Sequence, residues 1–216
     1  MRALGPQDLA AAARVAGVSD PRVLEAIAEV PRALFVPPAQ IDRAYVDEPI
    51  PIAHRQVTTQ PSLVACMVEA LALAGAERVL EIGTGYGWQT ALLSRLAGFV
   101  WSVERFADLA DAARANLDGY GARNVRIVIG DGSEGLPAEA PFEGIVVSAA
   151  FPTVPPPLAE QLGVGGRLVQ PIGRGGNEDV MLFERTPDGL VARRRLIGAR
   201  FVPLVGAHGF ASEDWA

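Results

Sequence analysis

Three glycines alternate with other residues in Glu81-Ile82-Gly83-Thr84-Gly85-Tyr86-Gly87. Glycine lets a chain turn sharply and lets a ligand reach the backbone without meeting a Cβ atom. A helix that starts just after such a turn aims its free N–H groups at whatever binds there. A dinucleotide fingerprint would need its third glycine at position 88, where the chain has Trp88. The G-x-G-x-G spacing behind Glu81 therefore points away from a pyrophosphate. It points toward S-adenosylmethionine, which meets such a loop with a zwitterionic amino-acid tail. Taken alone, the loop is also compatible with a tight packing turn that holds no ligand.

Two acids sit in register with the loop. Glu104 closes the next apolar run, where a carboxylate accepts hydrogen bonds from ribose hydroxyls. By itself it also reads as a solvated strand-end carboxylate. Asp131, followed by Gly132, closes the run after that and can accept from an adenine amino group. Three such features at the carboxyl ends of successive runs are hard to explain by packing alone.

The elements that must position these residues follow from periodicity. Strands are expected at 78–83, 99–105, 124–131, 143–150 and 166–173, each a nearly continuous apolar run. That is the pattern of strands buried on both faces of a parallel sheet. Helices alternate with them at 86–96, 107–119 and 157–162. Two alternating stretches, DVMLFER and LVARRRL, joined through TPDG, form a hairpin at the end. The fold class is α/β: a Rossmann-like, doubly wound, mostly parallel sheet with an antiparallel edge. Ahead of it, residues 6–17, 20–30 and 61–74 read as helices, with Asp20 as N-cap and Pro21 at the first helical position. The proline-rich stretch from Val30 to Pro61 has no clean period but carries enough apolar residues to pack down. Residues 1–60 are expected to form a helical and irregular extension on a core of residues 61–216, together one structural domain.

Composition narrows the function classes. Half of the 216 residues are hydrophobic and the net charge is −6, which argues against coating nucleic acid. All positive charge is arginine, and Arg193 to Arg195, the one tight run, reads as a solvated strand face. Cys66 is the only cysteine and His54 and His208 the only histidines, so neither a disulfide nor a metal site is expected. Cys66, among apolar neighbours, reads as a buried, inert thiol. With no apolar run near 20 residues, a cytoplasmic monomer that avoids membranes is expected.

Nearly the whole chain resembles the protein-L-isoaspartate O-methyltransferase family. The residues that carry the resemblance are DPRVLEAIAEVPRALFVP, AYVDEPIPIAHRQVTTQPSLVA and RVLEIGTGYGWQTALLSRL. It continues through VER, GDGSEGLPAEAPFEGIVVSAAFPTVPPPLAEQL, GGRLVQPIG and RFVPLVG. The resemblance implies S-adenosylmethionine as cofactor and isoaspartyl peptides or proteins as partners. The product would be a methyl ester that leads to repair through a succinimide. It implies cofactor contacts from Glu81, Ile82, Gly83, Thr84, Gly85 and Gly87, from Glu104 and Arg105, and from Asp131 and Gly132. It implies that Gln56, Val57, Thr58 and Thr59 wrap the cofactor and the reactive carboxylate, with Thr59 as the active-site hydroxyl. Arg55, Ala149, Ala150 and Val205 fall where the substrate peptide is held.

There are departures from the family pattern. The usual pattern is close to H-G-Q-T-I-S-Q-P, whereas this chain reads His54-Arg55-Gln56-Val57-Thr58-Thr59-Gln60-Pro61. Thr59 keeps the hydroxyl but adds a methyl and a stiffer side chain. Arg55 brings a charge that either pairs with a substrate carboxylate or points to solvent. Two other readings stay open on sequence: methylation of aspartyl side chains of a dedicated peptide, and a non-catalytic protein that binds the cofactor.

Overall fold

The computed structural model describes residues 4–174 and 176–211. The chain opens with α1 (Pro6–Val15) and α2 (Pro21–Glu29), each with proline in its first turn. The Asp20 carboxylate caps α2 by accepting from the Arg22 N–H at 2.8 Å, as its sequence context predicts. Residues 30–60 are irregular, with two 3-10 turns and a short hairpin, β1 (Ile50–Pro51) against β2 (Val57–Thr58). Helix α3 (Pro61–Ala70) follows and ends earlier than expected.

The core then alternates as β3 (Arg78–Ile82), α4 (Trp88–Leu96), β4 (Phe99–Glu104), α5 (Ala107–Tyr120), β5 (Val125–Ile129), β6 (Phe142–Val147) and α6 (Pro156–Gln161). It closes with β7 (Leu162–Ile172), β8 (Glu178–Thr186) and β9 (Gly189–Ala199). The seven long strands pair in the order β5-β4-β3-β6-β7-β8-β9. The first five are parallel, and β8 and β9 run antiparallel at one edge. The hairpin turn falls at TPDG, with Thr186 opposite Gly189. Chain order reverses between β3 and β6, and the crevice at their carboxyl ends is where such sheets bind ligands.

Successive residues of one strand point to opposite faces, and both faces are buried. Val79, Val100 and Val146 join one apolar cluster with Leu9, Ile27, Phe35, Met67 and Leu92. Their neighbours Leu80, Trp101, Ile145 and Val147 join a second cluster with Leu158, Leu168 and Leu204. The N-terminal extension thus shares its core with the sheet, and each fully buried aliphatic side chain contributes about 1.5–3 kcal/mol. Arg193 and Arg195 lie on the exposed face of β9, paired with Glu184 and Asp179 across the hairpin. Cys66 is half-buried, less than expected. Loss of solvation, reinforced by Glu69, raises its thiol pKa and keeps it protonated. Among the described residues, no helix is long and apolar enough to cross a membrane. Residues 212–216 lie outside the described residues.

Candidate active site

The glycine loop turns from β3 into α4 with all three glycines at positive φ: Gly83 at 94°, Gly85 at 56° and Gly87 at 91°. Those values are costly for any residue with a Cβ atom. Where a dinucleotide loop would need its third glycine, Trp88 instead packs into the core and donates its indole N–H to Val30 O at 3.3 Å. The loop therefore clamps the N-terminal extension to the sheet from its first helical residue.

Each acid has a distinct environment. Glu104 is buried at the end of β4, accepting from Gly85 N at 2.9 Å and Phe106 N at 3.1 Å. It lines the cleft and fixes the loop at once. Glu81 does not line the cleft, contrary to expectation. Its carboxylate is fully buried beneath the loop and accepts from Gln89 at 2.9 Å, Thr90 at 2.5 Å and Ser102 at 2.6 Å. Burial pushes its pKa up to about 7, against the opposing pull of the three donors. Asp131 also turns away from the cleft. One of its oxygens takes the N–H and hydroxyl of Ser133, and the other takes the N–H of Ala207 at 2.6 Å. Burial alone would raise this carboxyl, but the donors from Ala207 and Ser133 outweigh it and hold it below the ordinary range. The turn at Gly206 lies so close to this carboxylate that a Cβ atom there would collide with it. Asp131 thus pins the C-terminal segment, and Gly132 next to it lines the cleft.

The opposite wall is the β1–β2 hairpin. At its tip His54 and Arg55 both adopt left-handed backbone, with φ of 58° and 56°. Arg55 occupies the position where the family pattern has glycine. Its side chain is exposed and does not line the cleft. His54 stacks on Phe106 with ring centres 4.1 Å apart and meets the Asp108 carboxylate at 2.8 Å. This latches the hairpin onto the start of α5.

Behind the hairpin lies Arg32, 1% exposed, which donates to the carbonyls of Ala44, Val46 and Glu48 and to the Thr58 hydroxyl at 2.9 Å. Burial lowers its pKa to about 10, which still leaves it charged at neutral pH. Thr58 also accepts from Ile50 N at 3.1 Å, so the hydroxyl that sets this chain apart from the family pattern joins both strands of the hairpin to the buried guanidinium.

Between these walls is an open cleft with about 970 Å³ of empty space, counted out to its mouth. Of the residues expected there, it is lined by Gln56, Val57, Thr58, Thr59, Ile82, Gly83, Thr84, Gly85, Gly87, Glu104, Arg105, Gly132, Ala149 and Val205. Ala150 does not line it. Its N–H and carbonyl are both taken by the chain at Val202 and Leu204, at 2.8 Å each, so its backbone is committed to the fold. Sequence reasoning missed Arg32, Gln89, Phe106 and Ser148, all of which line the cleft. Arg32 alone left a signal, as a single charge inside the apolar segment VPRALFVP. A second groove, with about 800 Å³ of empty space, runs along residues 197–202 and meets the cleft at Val57, Thr59, Ser148 and Val202.

A seven-stranded sheet of this order, with a glycine loop after β3 and a buried acid after β4, defines a Rossmann-like methyltransferase. A family model described as protein-L-isoaspartate(D-aspartate) O-methyltransferase matches residues 6–209, and the chain belongs to that family. It is 54% identical over 190 residues to a protein-L-isoaspartate O-methyltransferase of Anaeromyxobacter dehalogenans, covering 87% of this chain and 91% of the relative. It is 50% identical over 195 residues to the one of Methanoregula boonei, covering 90% and 89%. A solved protein-L-isoaspartate O-methyltransferase superposes with a TM-score of 0.82 at 30% identity, over 94% of this chain and 67% of that one. A Plasmodium falciparum structure described as a putative member, in complex with S-adenosyl-L-homocysteine, superposes at 0.78 with 20% identity, over 93% and 98%.

Proposed function

We infer that the protein is an S-adenosylmethionine-dependent carboxyl O-methyltransferase acting on L-isoaspartyl residues. The observation that carries the reading is the meeting of two cavities, a polar cleft under the glycine loop and a groove beside it, at the hydroxyl of Thr59.

The cleft's polar groups fit the cofactor. Glu104 lies where ribose hydroxyls donate. The loop N–H groups and the start of α4 suit the carboxylate of the methionine tail. Gln89 Oε1 is buried beside the loop with no donor among the described residues, an acceptor that the ammonium of the tail would satisfy. When bound, the cofactor supplies an electrophilic methyl that is lost from sulfur as a bond to a carboxylate oxygen forms. The chain's own residues orient and desolvate. An isoaspartyl α-carboxylate, with an ordinary pKa of about 3.5, is ionised at neutral pH and needs no general base. Thr59 has no side-chain hydrogen bond among the described residues, so its hydroxyl is free to orient that carboxylate. Holding the partners in near-attack geometry supplies roughly 7–11 kcal/mol of the barrier.

The second groove would admit the acceptor chain. Among the described residues, Arg200 is the only charged one lining it, which suits an anionic acceptor. Methyl-labelled cofactor offered with matched isoaspartyl and aspartyl peptides tests the reading. Base-labile label on the isoaspartyl peptide alone is expected. Label on the aspartyl peptide alone would overturn it.

A further inference from the structure

We propose that Ser148 is a second anchor for the acceptor carboxylate, binding the oxygen that is not methylated; this rests on the functional reading above. Ser148 follows the last residue of β6, and its backbone N–H donates to Ile82 O at 2.9 Å, which fixes its Cα beside the glycine loop. With Thr59, Val57 and Val202 it lines both the cleft and the groove, so its side chain stands where donor and acceptor must meet.

Its hydroxyl is also oriented. Gln89 Nε2 has two protons, and it donates to Glu81 Oε1 at 2.9 Å and to Ser148 Oγ at 3.2 Å. The amide is held by the buried carboxylate, so its second proton occupies a lone pair of the serine oxygen. That leaves Ser148 with a proton to give, and no acceptor for it exists among the described residues. A carboxylate is an acceptor-only group with two oxygens. Two hydroxyls, each with an uncommitted proton, stand at the junction: Thr59 and Ser148. Only one oxygen is alkylated, so holding the other fixes which lone pair faces the methyl. Glu81 thereby becomes a positioning residue that acts through Gln89 and Ser148, while Gln89 orients Ser148 with its amide nitrogen and keeps its oxygen for the cofactor tail.

The test is Ser148→Ala against Ser148→Thr, measured by direct titration with an isoaspartyl peptide and with its methyl ester, both with saturating S-adenosylhomocysteine. Ser148→Ala is expected to weaken binding of the free acid roughly tenfold or more, the effect of losing a hydrogen bond to a charged group. Binding of the methyl ester, whose remaining carbonyl oxygen is a neutral acceptor, should weaken clearly less than that of the acid, binding of S-adenosylhomocysteine should change less than about twofold, and Ser148→Thr should restore affinity for the acid. KM for the isoaspartyl peptide should rise in parallel. An equal loss for acid and ester, a loss confined to S-adenosylhomocysteine, or no change would each overturn the assignment. Failure of the wild type to methylate the peptide would count against the functional reading instead, and the binding titrations would still decide the role of Ser148.

Discussion

The two walls of the cleft are built in different ways. The cofactor wall is continuous with the sheet. Its loop leaves β3, its acid ends β4, and Gly83 N donates to Val103 O on the neighbouring strand at 2.9 Å. The acceptor wall is a short hairpin held by side chains that reach in from elsewhere: Arg32 from behind, Asp108 at the tip, and Asp47, which accepts from Gln60 and Ser62 N at its base. A wall made by a sheet tolerates little change, because shifting it moves a strand. A wall held by side-chain latches can exchange residues one by one while keeping its place. Arg55, Val57, Thr58 and Thr59, where the chain departs from H-G-Q-T-I-S-Q-P, lie on or next to this hairpin.

The strongest test of that contrast is to release the hairpin. Arg32→Met leaves three carbonyls and the Thr58 hydroxyl without their charged donor. It should cost about 3–5 kcal/mol in denaturant unfolding. A loss below about 1 kcal/mol would mean that the hairpin is held by something other than this buried cation.

The matching probe of the sheet-built wall is Glu81→Gln. Because the folded-state pKa of Glu81 is raised from 4.5 to about 7, the native state binds the proton more tightly than the unfolded chain does. Its contribution to stability is therefore fully present below pH 4.5 and lost as pH rises toward 7, a fall of about 3 kcal/mol. The glutamine variant, which keeps an acceptor for Gln89, should lack that part of the pH dependence. Parallel stability–pH curves for the two proteins would refute the assignment.

Chemistry should separate the walls next. Thr59→Val removes a hydroxyl at nearly constant volume, and turnover should fall about tenfold to a hundredfold with cofactor affinity unchanged. Equal losses in both would place Thr59 on the cofactor side. The smallest effect belongs to the hairpin tip. Arg55→Gly relieves a left-handed backbone but frees the unfolded chain, for a net gain of up to about 1 kcal/mol, or about 2–4 °C in Tm. Activity toward the isoaspartyl peptide should not change, since Arg55 faces solvent.

Much of this molecule was legible without coordinates, for a reason of period and position. The five apolar runs and their intervening helices lie where periodicity places them, with ends shifted by a few residues, because buried strands and amphipathic helices write their environment into local sequence. The glycine loop and Glu104 were legible for the same reason, being consecutive with the strands they end. What the acids face was not. Glu81, Glu104 and Asp131 all sit at or beside strand ends, yet only Glu104 faces the cleft. Glu81 is turned inward by Thr90 and Ser102, and Asp131 is claimed by Ala207, 76 residues away. Arg32 showed only as a lone charge in an apolar segment, and no local pattern marked Ser148, whose partner Gln89 lies 59 residues away. By itself the sequence determined the sheet, the glycine loop EIGTGYG and the family. The tertiary structure alone decided which polar groups are spent on the fold and which keep a proton or lone pair for a ligand, because a buried group's free valence depends on every neighbour that packs around it.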